Sequence, residues 1–77
     1  MYLKTAELKA GDVVRLNSFG KTDKAYRKQL VAFGVTPSFH VRVVRFAPLG
    51  SPVQLDVGGA SIMLRTEEAA ELLWERV

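Results

Sequence analysis

The sequence predicts a mainly β fold with one or two short helices, its short strands wrapped into a small, partly open barrel. Three observations carry the prediction. Apolar and polar residues alternate through several short runs rich in β-branched side chains, most cleanly at Val53–Val57 and Ala60–Leu64. Glycine and proline punctuate the chain at short intervals, at Gly11, Gly34, Pro37, Pro48, Gly50, Pro52 and Gly58–Gly59. Only one stretch, 24–33, combines helical spacing with a capping residue before it and a glycine after it. The 77 residues read as a single domain, 1–77, without repeat or linker. A chain of this length removes only about 60% of its unfolded surface from water, enough for one small core but not for a deep enclosed pocket.

The elements follow in order. Residues up to Gly11–Asp12 lead into a turn, after which Val13–Leu16 is a short β-branched strand broken up by Asn17–Ser18 and Gly20. Thr22 or Asp23 can cap a helix over Lys24–Phe33, where Tyr26, Leu30 and Phe33 share one face and Gly34 supplies the left-handed C-terminal residue. The opposite face carries Lys24, Arg27 and Lys28, with Lys21 just before and only Asp23 to offset them.

Thr36–Ser38 reads as a turn, and Phe39–Ala47 as a strand with Phe39, Val41 and Val43 on one side and His40 and Arg42 on the other. Arg45 then falls where an apolar residue is due, which predicts a bulge or strong curvature. Ala47–Pro52 has two prolines around a glycine and reads as a stiff loop exposing Leu49. Gly58–Gly59 is a two-residue hairpin turn, so Val57 faces Ala60, Leu55 faces Ile62 and Val53 faces Leu64, while Gln54 meets Met63 and Asp56 meets Ser61 on the other face. Thr66 can cap one helical turn through Glu67–Ala69, and Leu72–Val77 closes the chain as a last strand. Five strands of this length suggest a barrel of the SH3-like size class, because closure hides edges that so small a sheet could not otherwise protect.

Composition narrows the chemistry. Without cysteine there is no disulfide, thiolate metal site or thiol nucleophile. The longest apolar run, Leu30–Phe33, is far short of the roughly 20 residues of a membrane-spanning helix. The N-terminal residues, with Lys4, Glu7 and Lys9 scattered through them, lack the apolar block of a secretory signal, and a cytoplasmic location is expected. His40 is the only histidine, so no closed metal site within one chain and no Ser-His-Asp set is expected. As a surface candidate, His40 can only join carboxylates of another molecule around an adventitious or bridging transition metal, and no intrinsic cofactor is expected. A net charge of +3 suits an acidic protein or lipid surface, a nucleic acid, or ordinary solubility. A basic barrel that binds single-stranded RNA needs exposed aromatics for stacking. With Tyr26, Phe33 and Phe39 assigned to the core, Phe19 and Phe46 are left as weak stacking candidates, and nucleic acid is the less favoured partner.

Four segments then stand in order: Leu8-x-x-Gly11, Arg27-x-x-Leu30-x-x-Phe33-Gly34-Val35-x-Pro37, Arg45-x-Ala47-Pro48-Leu49-Gly50-x-Pro52 and Leu64-Arg65-x-x-Glu68-Ala69. Spanning residues 8–69, they resemble the FeoA family of ferrous iron transport. The resemblance implies an SH3-like barrel and a cytosolic, non-enzymatic accessory or regulator of the inner-membrane transporter FeoB, whose cytoplasmic portion includes a GTP-binding domain. It also implies a family concerned with transition metal ions. Related SH3-like domains occur in metal-dependent transcriptional repressors, so a metal-responsive regulatory module is the neighbouring reading. The family pattern has Gly after the turn proline and Asp after PLG, where this chain has Ser38 and Ser51. The partner-binding residues expected on this reading are Arg27, Lys28, Arg45, Ala47, Pro48, Leu49, Gly50, Pro52 and Arg65. An incompletely closed barrel can also pair edge to edge as a weak homodimer.

With one histidine and no cysteine, calorimetric titration of the monomer with ferrous ion is expected to show no stoichiometric site of micromolar affinity. Such a site would overturn the ligand count.

Overall fold

In the computed structural model, which describes residues 2–77, six strands form one antiparallel sheet in the order β1-β6-β2-β3-β4-β5. The strands are β1 (Tyr2–Lys4), β2 (Val13–Ser18), β3 (His40–Phe46), β4 (Val53–Val57), β5 (Ala60–Leu64) and β6 (Leu73–Arg76). A single 3-10 turn, Thr5–Glu7, follows β1, and one helix, α1 (Lys24–Ala32), joins β2 to β3. The sheet wraps one hydrophobic cluster without closing into a strict barrel, so β1 and β5 remain its edges.

The hairpin β4–β5 has the register that its Gly58–Gly59 turn dictates, with Val57 opposite Ala60, Leu55 opposite Ile62 and Val53 opposite Leu64. Val53, Leu55, Val57, Ile62 and Leu64 are buried, and Ala60 is exposed at the turn end. The irregularity at Arg45 is a bulge. Val43 pairs with Leu55 and Arg45 with Gln54, which leaves Val44 as an extra residue on β3. The slip reverses the alternation, so Phe46 swings back against the core and Arg45 stays outside.

The helix is defined at both ends. The Asp23 carboxylate accepts from Ala25 N at 3.1 Å and Tyr26 N at 3.4 Å, so Asp23 and not Thr22 is the cap. At the other end Val35 N donates to Leu30 O at 2.9 Å and Gly34 N to Val31 O at 3.0 Å, a Schellman arrangement with Gly34 at φ +92°. Leu30 and Val35, which the motif brings together, are both fully buried.

Several expectations are corrected. There are six strands, not five: Tyr2–Lys4 pairs with β6, Leu3 lying opposite Trp74. The second strand runs on to Ser18, two residues beyond its expected end, because a bulge at Asn17 lets Ser18 still pair with Leu73. The helix stops at Ala32, and Phe33 is 58% exposed rather than in the core, because the C-terminal turn directs Val35 inward in its place. Phe39 precedes β3 and is 54% exposed, the core side of that strand being filled by Val41 and Val43. Thr66 caps nothing: the turn beyond it is closed by Arg65 O, which accepts from Glu68 N and Ala69 N, while the Thr66 hydroxyl donates to Gly50 O at 2.9 Å.

Trp74, fully buried on β6, sits in a row with Leu3 of β1 and Leu16 of β2. Its indole N–H donates to Thr5 Oγ1 at 2.9 Å, and that hydroxyl donates to Ala69 O at 2.7 Å. Thr5 is the only buried polar residue among those described. Thr5→Val keeps the shape but orphans a buried donor and a buried acceptor, and is expected to lower unfolding free energy by about 2–4 kcal/mol in urea denaturation.

Asp12 closes the first turn. Its carboxylate accepts from Lys9 N at 2.8 Å and from Arg76 Nη2 at 3.3 Å, and these bonds, the backbone one first, hold its pKa below the ordinary carboxylate value of 3.8. A carboxyl depressed by folding contributes stability that is present in full above its ordinary value and lost as pH falls through the folded-state value. The stability difference between wild type and Asp12→Asn, followed by chemical denaturation against pH, is expected to stay level near neutrality and to shrink in acid below that ordinary value.

Candidate functional site

The proline-bounded loop is a tight turn held at four points. Gly50 N donates to Ala47 O at 2.8 Å, with Pro48 and Leu49 at the corners, and Ala47 N donates to Pro52 O at 2.9 Å across its base. Thr66 adds two bonds from the following turn, hydroxyl to Gly50 O and backbone N–H to Ser51 Oγ at 3.2 Å. Ser51 thus serves as an acceptor within the fold. Leu49, at the tip, is 97% exposed.

Beside this loop the bulged end of β3 and the hairpin build a polar row across the outer face of the sheet. Arg45 Nε donates to Gln54 Oε1 at 3.0 Å and Gln54 Nε2 to Ser61 Oγ at 2.9 Å. Arg45, Ala47, Pro48 and Pro52 line a depression of about 150 Å³ with Gln54 and Met63. Arg65 lines the next one with Leu49, Pro52, Met63 and Glu67. The fold therefore gathers Arg45, Arg65 and the loop residues 47–52 on one surface. It leaves Arg27 and Lys28 apart, on the outer face of α1 with Lys24 and Val31.

None of the three candidate arginines pairs with a carboxylate among the described residues. Arg27 lies over the Phe19 ring, 4.8 Å from its centroid, Arg45 bonds Gln54, and Arg65 is exposed. Four other cations are paired, in Lys4–Glu71, Arg15–Glu75, Arg42–Asp56 and Arg76–Asp12. The chain's formal net charge of +3 equals that of 21–28 alone, four cations less Asp23.

Sequence reasoning passed over Met63, which is 56% exposed and borders three depressions. Its signal was a long apolar side chain on the polar side of a hairpin otherwise lined there by Gln54, Asp56 and Ser61. On its helix side Met63 meets a depression of about 270 Å³ shared with Tyr26, Leu30 and Phe33. The Tyr26 hydroxyl is buried without a hydrogen-bond partner, and burial first, then the charge of Glu68, raises its pKa. Phe19 and Phe46, the aromatics expected to be free for stacking on bases, are partly buried against the core, with Arg27 covering Phe19. His40 is exposed at the start of β3, opposite Arg15. The described residues bring no three His, Asp or Glu side chains together as a metal-binding group.

The FeoA domain model matches residues 4–76, nearly the whole chain. The chain belongs to the FeoA family. Among solved structures it resembles the FeoA protein of Chlorobium tepidum, with 32% identity, a TM-score of 0.88, and coverage of 97% of this chain and 70% of that one. It also resembles iron(II) transport protein A of Clostridium thermocellum, at 31% identity and a TM-score of 0.82 over 97% of this chain and 46% of that one. A manganese-dependent transcriptional repressor shares the fold, with a TM-score of 0.85 at 13% identity over 99% of this chain and 37% of the repressor. No helix in the described residues of this FeoA-family chain is long and apolar enough to cross a membrane.

Proposed function

We propose that this FeoA-family chain is a non-enzymatic accessory module of ferrous iron uptake, working in the cytoplasm at the inner membrane by binding the cytoplasmic portion of an FeoB-type transporter. The observation that carries the reading is the 97% exposure of Leu49 on a turn held by Ala47, Pro52 and Thr66. A leucine so exposed contributes nothing to the core. Held rigidly before contact, it loses little conformational entropy when buried against a partner, which is the condition for an apolar anchor to yield affinity. Arg45 and Arg65 beside it have no carboxylate partner among the described residues and would meet acidic groups on the other surface.

Leu49→Glu places an unpaired charge at the proposed contact, and is expected to keep the circular dichroism spectrum while weakening binding to the transporter's cytoplasmic portion by about tenfold or more. An NMR titration is expected to shift amides in 47–52. Leu30→Ala, by contrast, is expected to cost about 2–5 kcal/mol of stability, because it opens a cavity under α1. Unfolding of Leu49→Glu, or unchanged binding by it, would refute the loop contact.

A further inference from the structure

The two edges of the sheet differ. β1 is three residues long and ends in Lys4, which pairs with Glu71 at 3.9 Å. β5, Ala60–Leu64, is five residues long, with no charge, proline or bulge to discourage a further strand. In a hairpin with a two-residue turn the flanking pair Val57–Ala60 is hydrogen-bonded, and bonded and non-bonded pairs then alternate. Ala60, Ile62 and Leu64 therefore bond to β4, and the N–H and C=O groups of Ser61 and Met63 point away from the sheet. Both residues are exposed, and no other backbone group among the described residues takes up those atoms.

Each face of this edge has a depression beside it. On the core side lies the one with Leu30 and Phe33, Tyr26 being among its lining residues. On the outer side Met63 and Pro52 line the ones that reach Leu49, Arg45 and Arg65. Side chains of a strand alternate between faces, so a strand laid along β5 fills both at once, which neither a helix nor a flat surface does.

We infer that the free edge of β5 is a docking site for an extended segment of the partner protein, which adds as a seventh strand. The segment bonds to Ser61 and Met63 main-chain atoms, carries apolar side chains at successive positions toward Phe33 and toward Met63, and bears a carboxylate where it passes Arg45 and Arg65. Glu67 is the one carboxylate lining the depressions at that end, and the two arginines outnumber it. This inference rests on the reading that the chain works by binding another protein. It adds the form of the bound segment and a second contact beyond the loop.

The test is amide hydrogen exchange on the isotope-labelled full chain. It is run alone, with the cytoplasmic portion of an FeoB transporter, with short peptides tiling that portion, and with peptides selected from a random displayed library. Ser61 and Met63 amides are expected to exchange freely in the chain alone and to slow by about tenfold or more in the complex, while Ile62 and Leu64, already bonded to β4, change little. Ser61→Pro removes an edge donor without breaking the β4 ladder and is expected to weaken binding by about tenfold, whereas Ser61→Ala, which keeps the N–H, binds as the wild type does. Met63→Pro replaces Ser61→Pro if that variant fails to fold.

Complexes in which both amides exchange as in the free chain overturn the inference, as do wild-type binding by a folded proline variant and the absence of any peptide that binds. Protection that grows with protein concentration alone also overturns it, since the edge then belongs to a second copy of this chain. If Leu49→Glu weakens transporter binding while the edge amides stay unprotected, the loop reading stands and this inference fails. If the transporter portion does not bind but library peptides protect Ser61 and Met63, the edge stands and the transporter reading fails.

Discussion

The structure depends on a single buried hydrogen-bond relay, Trp74 to Thr5 to Ala69. An indole brings roughly 150–250 Å² of surface and one N–H into the interior, and in so small a core that N–H has to be met by protein. The Thr5 hydroxyl accepts from it and donates its own O–H to the Ala69 carbonyl. The turn after β1, the turn before β6 and β6 itself are thereby tied at one point. β1 has only three residues to pair with, and this tie holds it in the sheet despite its length.

From that fixed end, the placement of the surface groups follows. The turn whose Ala69 carbonyl is bound by Thr5 also contains Thr66, and Thr66 holds the Ala47–Pro52 loop through Gly50 and Ser51. The exposed leucine is thus connected, through backbone and two hydroxyl groups, to the largest of the fully buried side chains among the described residues. The bulge at Val44 completes the arrangement, since without it Arg45 would point inward and Phe46 outward. One extra residue both seals the end of the core and delivers a cation to the loop.

Local signals were legible in the sequence and long-range ones were not. The hairpin register follows from a two-residue glycine turn, the helix limits from Asp23 and Gly34, and the bulge from one misplaced arginine, all within a few residues of their cause. β1 was missed because its only partner, β6, lies about seventy residues away, and three residues show no period of their own. Phe33 and Phe39 fitted the apolar face of their segments, but Val35, Leu72 and Trp74 already occupy the interior, and a small core takes a fixed volume. Of the surface, the loop and its arginines were legible from the prolines and the family motif. Met63 was not, because a single apolar residue on a polar face gains meaning only when neighbours from other elements are set around it.

The distribution of charge has a consequence of its own. Cations on the sheet are largely neutralised, and the excess lies on the outer side of α1, across that helix from Tyr26, Leu30 and Phe33. Such a molecule is an electric dipole more than a uniformly basic particle. Near an acidic surface, within the roughly 8 Å over which salt leaves fields unscreened, it experiences a torque before any contact forms. The torque favours one approach orientation, with the lysine side foremost. The two sides of this single nine-residue helix therefore respond to different conditions, the basic side to ionic strength and the apolar side to burial.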